Sequence, residues 1–473
     1  MHESTLLGQV PEPVLGICRR LREAGKRAWL VGGCVRDLLR GVGVADYDIC
    51  TDARPEETMR VFPKVVPTGI EHGTVSVLWK GVPYEVTTLR GETTYSDGRR
   101  PDAVVFHDDI EADLARRDFT VNAIALDPLD GAIIDPFEGR RDLAANVIRA
   151  VGDARARFSE DGLRVLRAAR FVATLGAELD PATEAAINPS LDTYRKVSPE
   201  RVRDEWLKTM KAKAPSRAFE VMRRTGVLGV SCPELAEGFG CAQGPGHDRD
   251  VWARTMARLD ACQGDAIVRL AALLLTVGLP RALAANRPGD GTSRGPGEGA
   301  DGDAGRGYER LGAELSEEIV KRLRFSNEER ERIVTIVRHH ATGYDEGWPD
   351  AAVRRWVKRV GRERLDDIAR VTRADAIGRG GPPEAELARI EHLAGRANAI
   401  LDAGDALSTK ALAVNGRDLM SELGLPPGRS LGELLERLLE DVLDDPALNT
   451  RTGLLDRARA LRGGPPGPTP ANR

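Results

Sequence analysis

Short β-rich runs punctuated by glycine and proline fill residues 28 to about 150, and a different pattern takes over beyond them. Ala28–Val31, 47–49, Thr74–Trp79 and 84–89 gather Val, Ile, Thr, Tyr and Trp into segments of strand length. Lys80 and Gly81, between the last two, carry the composition of a hairpin turn. One helix beginning after Gly33 and another over 54–61 fit between these strands. From about residue 155 the apolar positions follow a helical period: Leu163, Leu166, Ala169 and Phe171 form one stripe, and similar stripes recur along the rest of the chain. The pattern predicts an α+β chain, a mixed α/β head followed by an all-α body and tail. Residues 286–307 interrupt it. They are glycine-rich with almost no apolar side chain, so they cannot bury enough surface to offset their ordering entropy and read as a disordered insert. The Pro/Gly-rich tail 463–473 reads the same way, and no internal repeat is evident.

Composition narrows the class. At 473 residues the chain calls for roughly two to four domains. With 41% hydrophobic and 30% charged residues it has the balance of a soluble globular protein. No apolar run is expected to approach the ~18–20 residues of a membrane helix, and the N-terminus lacks a signal-peptide pattern. The six cysteines show no Cys-x-x-Cys spacing, which points away from zinc ribbons and disulfide frameworks and toward thiols in a reducing cytoplasm. A formal net charge of −4 argues against indiscriminate binding to nucleic acid but leaves room for a local basic groove.

Within 30–48, Gly32 and Gly33 precede Arg36, and Asp46 and Asp48 follow. On a strand, residues i and i+2 share a face, so the two aspartates would aim at one point with Tyr47 turned away. Paired carboxylates suit Mg²⁺, which takes one or two of them plus substrate phosphates. Bare glycine N–H groups at a helix start can cradle a phosphate, and Arg36 lies one turn further on. An isolated Asp-x-Asp is common in surface turns; joined to these glycines and this arginine it signals nucleotidyl transfer. A second stretch, 113–125, offers Arg116 and Arg117 to phosphates and sets Asp118 and Asn122 four apart on one helical face. A capped amphipathic helix with solvated arginines fits the same spacing. The run 135–142 reads as a turn from strand to helix. In 157–171, Glu160, Asp161 and Arg164 fall within one turn, with Arg167 and Arg170 at further i+3 steps. A carboxylate beside a guanidinium can meet a base edge, one accepting and the other donating. Spacing alone also fits an ion pair on a solvated face.

Taken together, 30–51, 87–125, 135–152, 158–176, 197–210, 412–428 and 445–449 resemble, in order, the bacterial class II tRNA nucleotidyltransferases, the family of CCA-adding enzymes and bacterial poly(A) polymerases. The resemblance implies a polymerase-β-like head. Asp46 and Asp48 would hold two Mg²⁺ ions, with Glu85 a third carboxylate. Gly32, Gly33 and Arg36 would hold the triphosphate, and Arg117, Asp118 and Asn122 would position ribose and phosphates. Asp161 and Arg164 would read the Watson–Crick edge of CTP or ATP, oriented by Glu160 and Arg167, with Arg170 completing the nucleotide-binding set. Residues 197–205 resemble the motif that braces the base-reading helix. Residues 90–102 resemble the flexible loop of complete CCA-adding enzymes.

The resemblance also implies an organisation: a catalytic head over 1–150, a base-recognition neck over 151–230, a helical body over 231–400, a C-terminal RNA-binding region over 401–462, and the tail. The body resembles an HD phosphohydrolase domain that has lost its ligands. Leu275 and Thr276 stand where an adjacent His-Asp pair would bind metal, and Arg254 where a further histidine would. Leucine cannot coordinate, so a hydrolytically inactive, structural domain is expected, although His247, His339 and His340 persist. The expected activity is addition of CCA to the tRNA 3′ end from CTP and ATP, in the cytoplasm and with no obligate protein partner. An A-adding enzyme of a split pair and a poly(A) polymerase share the same head chemistry. An inactive RNA-binding protein would have no need of the Asp46–Asp48 dyad.

Overall fold

The computed structural model describes residues 6–92, 104–243, 248–285, 307–341 and 343–463. The chain divides into two compact units, Met1–Glu237 with Ile319–Phe325, and Gly238–Glu318 with Ser326–Arg473.

The first unit is built on a seven-stranded sheet. Its strands are β1 (Ala28–Val31), β2 (Ile49–Thr51), β3 (Val65–Gly69), β4 (Thr74–Trp79) and β5 (Val82–Thr88); after the pair β6 (Arg90–Glu92) and β7 (Val104–Phe106) come β8 (Ala125–Leu126) and β9 (Ile133–Ile134). The order across the sheet is β3-β4-β5-β2-β1-β8-β9. All four side chains of β1 are buried, as a central strand covered on both faces requires. Val14, Ile17 and Leu21 of the helix Glu12–Glu23, and Val35 and Leu38 of the helix Gly33–Arg40, pack with Leu30, Val75, Val77 and Val86 of the sheet. The β4–β5 hairpin closes at Lys80 and Gly81, whose φ values of 51° and 87° are those of a type I′ turn. The residues between β6 and β7, and with them most of the expected flexible loop, lie outside the described residues.

Three local expectations change. The strand expected at 47–49 begins at Ile49, where the ladder with β1 starts, so Asp46 and Asp48 sit in the segment leading into it. Beyond the helix Ile110–Ala115 the chain passes through a turn into a single 3₁₀ turn, Thr120–Asn122, so Asp118 and Asn122 do not share an α-helical face. The continuous helical run implied within 157–171 is two helices, Ala154–Glu160 and Leu163–Leu175. Asp161 between them is extended, at φ −144° and ψ 107°. The apolar stripe itself is buried as its period implies, and Phe171 meets Phe119 edge-on at 5.6 Å.

The regular elements of the second unit's described part are all helices, with one isolated β-bridge between Ala242 and Asp250. The helices Val251–Ala261, Ala266–Leu274 and Leu365–Arg379 pack on one another. A separate core gathers Val414, Leu419, Leu438, Leu439, Leu443 and Leu454 further along the chain. Ala266–Ala285 corrects the expectation about apolar runs: over 20 residues it is long and apolar enough to cross a membrane. Most of it is buried inside the unit, and the backbone turns at 275–278, between the helices Ala266–Leu274 and Leu279–Ala285. A fully buried core helix has the same composition as a spanning one. Of the expected disordered insert only Gly307 is described, and 464–473 of the tail lie outside the described residues.

Candidate active site

The site grows from the end of β1. There Gly32 takes φ 75° and ψ −133°, a conformation open to glycine, and starts the helix Gly33–Arg40. A Cβ at Gly32 would stand 2.8 Å from Nη1 of Arg117 and 3.7 Å from Oδ2 of Asp48, so the bare backbone is what admits both groups. The Val31 N–H donates to the Asp48 carbonyl at 3.1 Å, which holds the aspartate lead-in against this turn. Tyr47 packs on the core as its alternation predicted, while Asp46 and Asp48 stay exposed. Parallel pairing of Ile49 with Val86 brings Glu85 alongside Asp48. Although its outer side is open, desolvation on its inner side lifts the Asp48 carboxyl above the usual range; Arg117 opposes this, and Glu85 and Asp46 add to it. Among the described residues no three His, Cys, Asp or Glu side chains are grouped as a preformed metal site.

The guanidinium groups around this cradle are held by carboxylates. Arg36 folds back, donating to Asp37 at 2.8 and 3.0 Å and from Nη1 to Oδ1 of Asn122 at 2.8 Å. Asn122 donates to Asp118 at 3.2 Å, so the pair meets through a turn instead of along a helix. Arg167 joins Asp118 at 2.6 Å. Burial works against the Asp118 charge, yet Arg167 and Asn122 hold its carboxyl below the usual range. Arg170 donates to Glu205 at 2.6 Å and stacks 4.0 Å from the Phe171 ring centroid. One polar chain thus runs from Arg36 through Asn122 and Asp118 to Arg167.

The two expected base-reading side chains come together differently from their spacing. Arg164 donates to Glu160 at 2.5 Å and to the carbonyls of Arg157 at 3.1 Å and Arg116 at 2.9 Å. Glu160 and Arg164, expected side by side, are thus directly paired. Asp161 turns the other way and accepts from both Nη atoms of Arg201, at 3.1 and 2.6 Å. Arg167, expected to orient the pair, binds Asp118 instead. Arg201, Glu205 and Asp113 were not singled out from the sequence. The resemblance of 197–205 to a bracing motif was the only signal for the first two, and nothing marked Asp113.

In the second unit, where the sequence suggests a ligand-stripped HD domain, Arg254 and Arg258 converge on Asp375 at 2.7 and 2.9 Å, and Arg258 also donates to Thr276 at 2.9 Å. His340 receives the Tyr308 hydroxyl within 3.0 Å of Nε2, while its Nδ1 lies 2.8 Å from the Val337 carbonyl; burial pushes its pKa down to about 4. His339 is only half-buried, and His247 lies outside the described residues.

Three family models match: "Poly A polymerase head domain" over residues 28–149, "Probable RNA and SrmB-binding site of polymerase A" over 176–239, and a tRNA nucleotidyltransferase domain 2 over 311–458. The CCA-adding enzyme of Lactobacillus johnsonii is 47% identical over 221 residues, which are 47% of this chain and 55% of that protein. That of Geobacillus stearothermophilus is 46% identical over 225 residues, 48% and 55%. The match thus spans about half the length of these curated relatives. Among solved structures, the CCA-adding enzyme of Bacillus stearothermophilus in complex with CTP superposes with a TM-score of 0.67 at 29% identity, covering 96% of this chain and 99% of that one. The glycine cradle, the aspartate pair and the helical neck beside them accord with these likenesses, and the chain carries a poly(A) polymerase head domain and a tRNA nucleotidyltransferase domain.

Proposed function

We propose that this chain adds C, C and A to the 3′ end of tRNA without a nucleic-acid template, using CTP and ATP and releasing pyrophosphate. The observation that carries the reading is the hydrogen bond from Arg164 to the Arg116 carbonyl. It sets a base-reading guanidinium one residue from Arg117, which stands over the Gly32 cradle. In the reaction the terminal ribose hydroxyl of the RNA attacks the α-phosphorus of the nucleotide. The bond to the β-phosphate oxygen breaks, pyrophosphate leaves and the hydroxyl proton is lost. Gly32 and Gly33 would offer N–H groups to the phosphates, with Arg36 and Arg117 balancing their charge. Asp118 and Asn122 would fix the ribose end. Asp161 and Arg164 would choose the base, held by Arg201 and Glu160, while Arg167 and Arg170 secure the neck behind them.

Nucleotidyltransferases of this family work with a divalent metal ion, which we take to be Mg²⁺. The donor set fits: Asp46 and Asp48 are exposed oxygen donors, and the like charge around Asp48 is what a cation relieves. Bound there, the ion would supply charge neutralisation of the phosphates and a more acidic attacking hydroxyl. We assign the chemistry to 1–150, base reading to 151–230, and RNA holding to the body and C-terminal region, and we place the enzyme in the cytoplasm. The CCA-adding relatives support this reading over its rivals. Because one matching family model is a poly(A) polymerase head, the deciding measurement is single-nucleotide extension of three tRNA transcripts ending before CCA, after C and after CC. Completion of all three, stopping after one A, is expected. Extension of only the CC-ending transcript would mean an A-adding enzyme, and long A tails a poly(A) polymerase.

A further inference from the structure

Asp113 lies within the helix Ile110–Ala115 and is 0% exposed, so it cannot touch a nucleotide itself. Its Oδ1 accepts from Nε and Nη2 of Arg116 at 3.0 and 2.7 Å, and its Oδ2 accepts from Nη2 of Arg117 at 3.2 Å. A buried carboxylate is costly unless its partners are fixed in place. Here burial is outweighed by Arg116 and Arg117, which keep the carboxyl below the usual range. What the two arginines do next is unequal. Arg117 continues to the Gly32 backbone and to the neighbourhood of Asp48. Arg116 keeps its carbonyl turned to Nη2 of Arg164, while the preceding carbonyl, of Ala115, accepts from Nη1 of Arg157 at 3.1 Å. Arg157 pairs with Glu160, the same carboxylate that holds Arg164. One short helix end therefore carries the phosphate-facing guanidinium on one side and anchors the base-facing guanidinium on the other.

We propose that Asp113 is a positioning residue that registers the two ends of one bound nucleotide, fixing Arg117 over the Gly32 cradle and the Arg116 carbonyl under Arg164 at the same time. This rests on the reading of Arg117 and Arg164 as nucleotide contacts. Removing the Asp113 charge while keeping its shape leaves both arginines in place but frees their directions, so affinity falls for CTP and ATP alike. A merely structural carboxylate would instead lower the folded fraction and leave the affinity of each folded molecule unchanged.

The test is titration calorimetry of CTP and ATP binding to the full chain with Mg²⁺ and no RNA, on wild type, Asp113→Asn, Arg117→Ala and the double variant. Asp113→Asn is expected to weaken both nucleotides by roughly tenfold, the scale of a lost charge-assisted hydrogen bond. The double variant is expected to lose less than the sum of the two single changes, because part of what Asp113 does passes through Arg117. Affinities within twofold of wild type, or losses that simply add, overturn the proposal. If Asp113→Asn does not fold, Arg116→Lys serves instead: it keeps the charge but replaces the Nε and Nη2 fork by a single ammonium nitrogen, and unchanged affinity overturns the proposal equally. Because binding needs no turnover, the two readings fail separately. Wild type that binds CTP and ATP yet extends no RNA overturns the proposed activity and leaves Asp113 to its variants; wild type that binds neither nucleotide overturns both.

Discussion

Gly32 concentrates what single residues contribute to this site. Its φ of 75° and the 2.8 Å between a would-be Cβ and Nη1 of Arg117 mean that Gly32→Ala strains the backbone and displaces the guanidinium together. We expect a stability loss of about 1–2 kcal/mol and a CTP affinity at least tenfold weaker by calorimetry; wild-type affinity would show that the cradle is not used. Asp46→Ala should abolish extension while tRNA binding in a filter assay stays near wild type, and retained turnover would end the metal assignment. The buried thiols Cys34 and Cys50, pushed up to about 11 and about 12 by burial, should resist iodoacetamide at pH 8, with half-buried Cys241 labelled first by mass spectrometry. At this scale the glycines and aspartates were legible because their chemistry lies in residue type and close spacing. Asp113 was not, because its role depends on which way two neighbouring arginines turn.

Among the elements, the break between Ala154–Glu160 and Leu163–Leu175 matters most for function. Spacing alone puts Glu160, Asp161 and Arg164 on one turn, yet Gly162 lies so close to the Thr193 backbone that a Cβ would come within 2.5 Å of its carbonyl oxygen. That contact lets Asp161 leave the helix and reach Arg201, while Arg164 stays in it. Arg201→Ala should release Asp161 and shift the CTP:ATP preference several-fold in single-turnover extension, with addition of the preferred nucleotide less affected; an unchanged ratio would leave Arg201 a surface ion-pair partner. The apolar stripe of this neck was readable from its 3.6 period. The break was not, since the residue that enforces it belongs to the short helix Leu191–Tyr194, further along the chain. β2 tells the same story in small: its ladder with β1 begins at Ile49 and Asp48 is tied to Val31 through its backbone carbonyl, so the two aspartates precede the strand that alternation assigned them.

At the scale of the whole molecule, the two units carry different electrostatic burdens. In the second, His340 is buried neutral, with a pKa of about 4 against about 6.5 in an unfolded chain. Between those values the unfolded state binds more protons, so this contribution to stability is complete above pH 6.5 and fades as pH falls toward 4. The expected loss is about 2 kcal/mol by pH 5. Thermal melts at pH 7 and pH 5 should show a smaller drop for His340→Gln than for wild type; equal drops would place the proton-linked group elsewhere. The mixed head and helical remainder were legible from periodicity, and the family from motif order. The apolar stretch Ala266–Ala285 shows the limit of that reading, because a core helix buried on all sides and a membrane span have the same composition.

By itself the sequence determined the strand-rich head, the helical remainder, and the glycine, aspartate and arginine set to which we assign nucleotide chemistry, since each is a matter of residue type at short range. Only the tertiary structure decided which partners those residues take. It gave Asp161 to Arg201, Arg167 to Asp118, and both Arg116 and Arg117 to Asp113. Pairing a charge in a buried site is a competition among every group the fold brings within reach, and most of those competitors are distant in the chain.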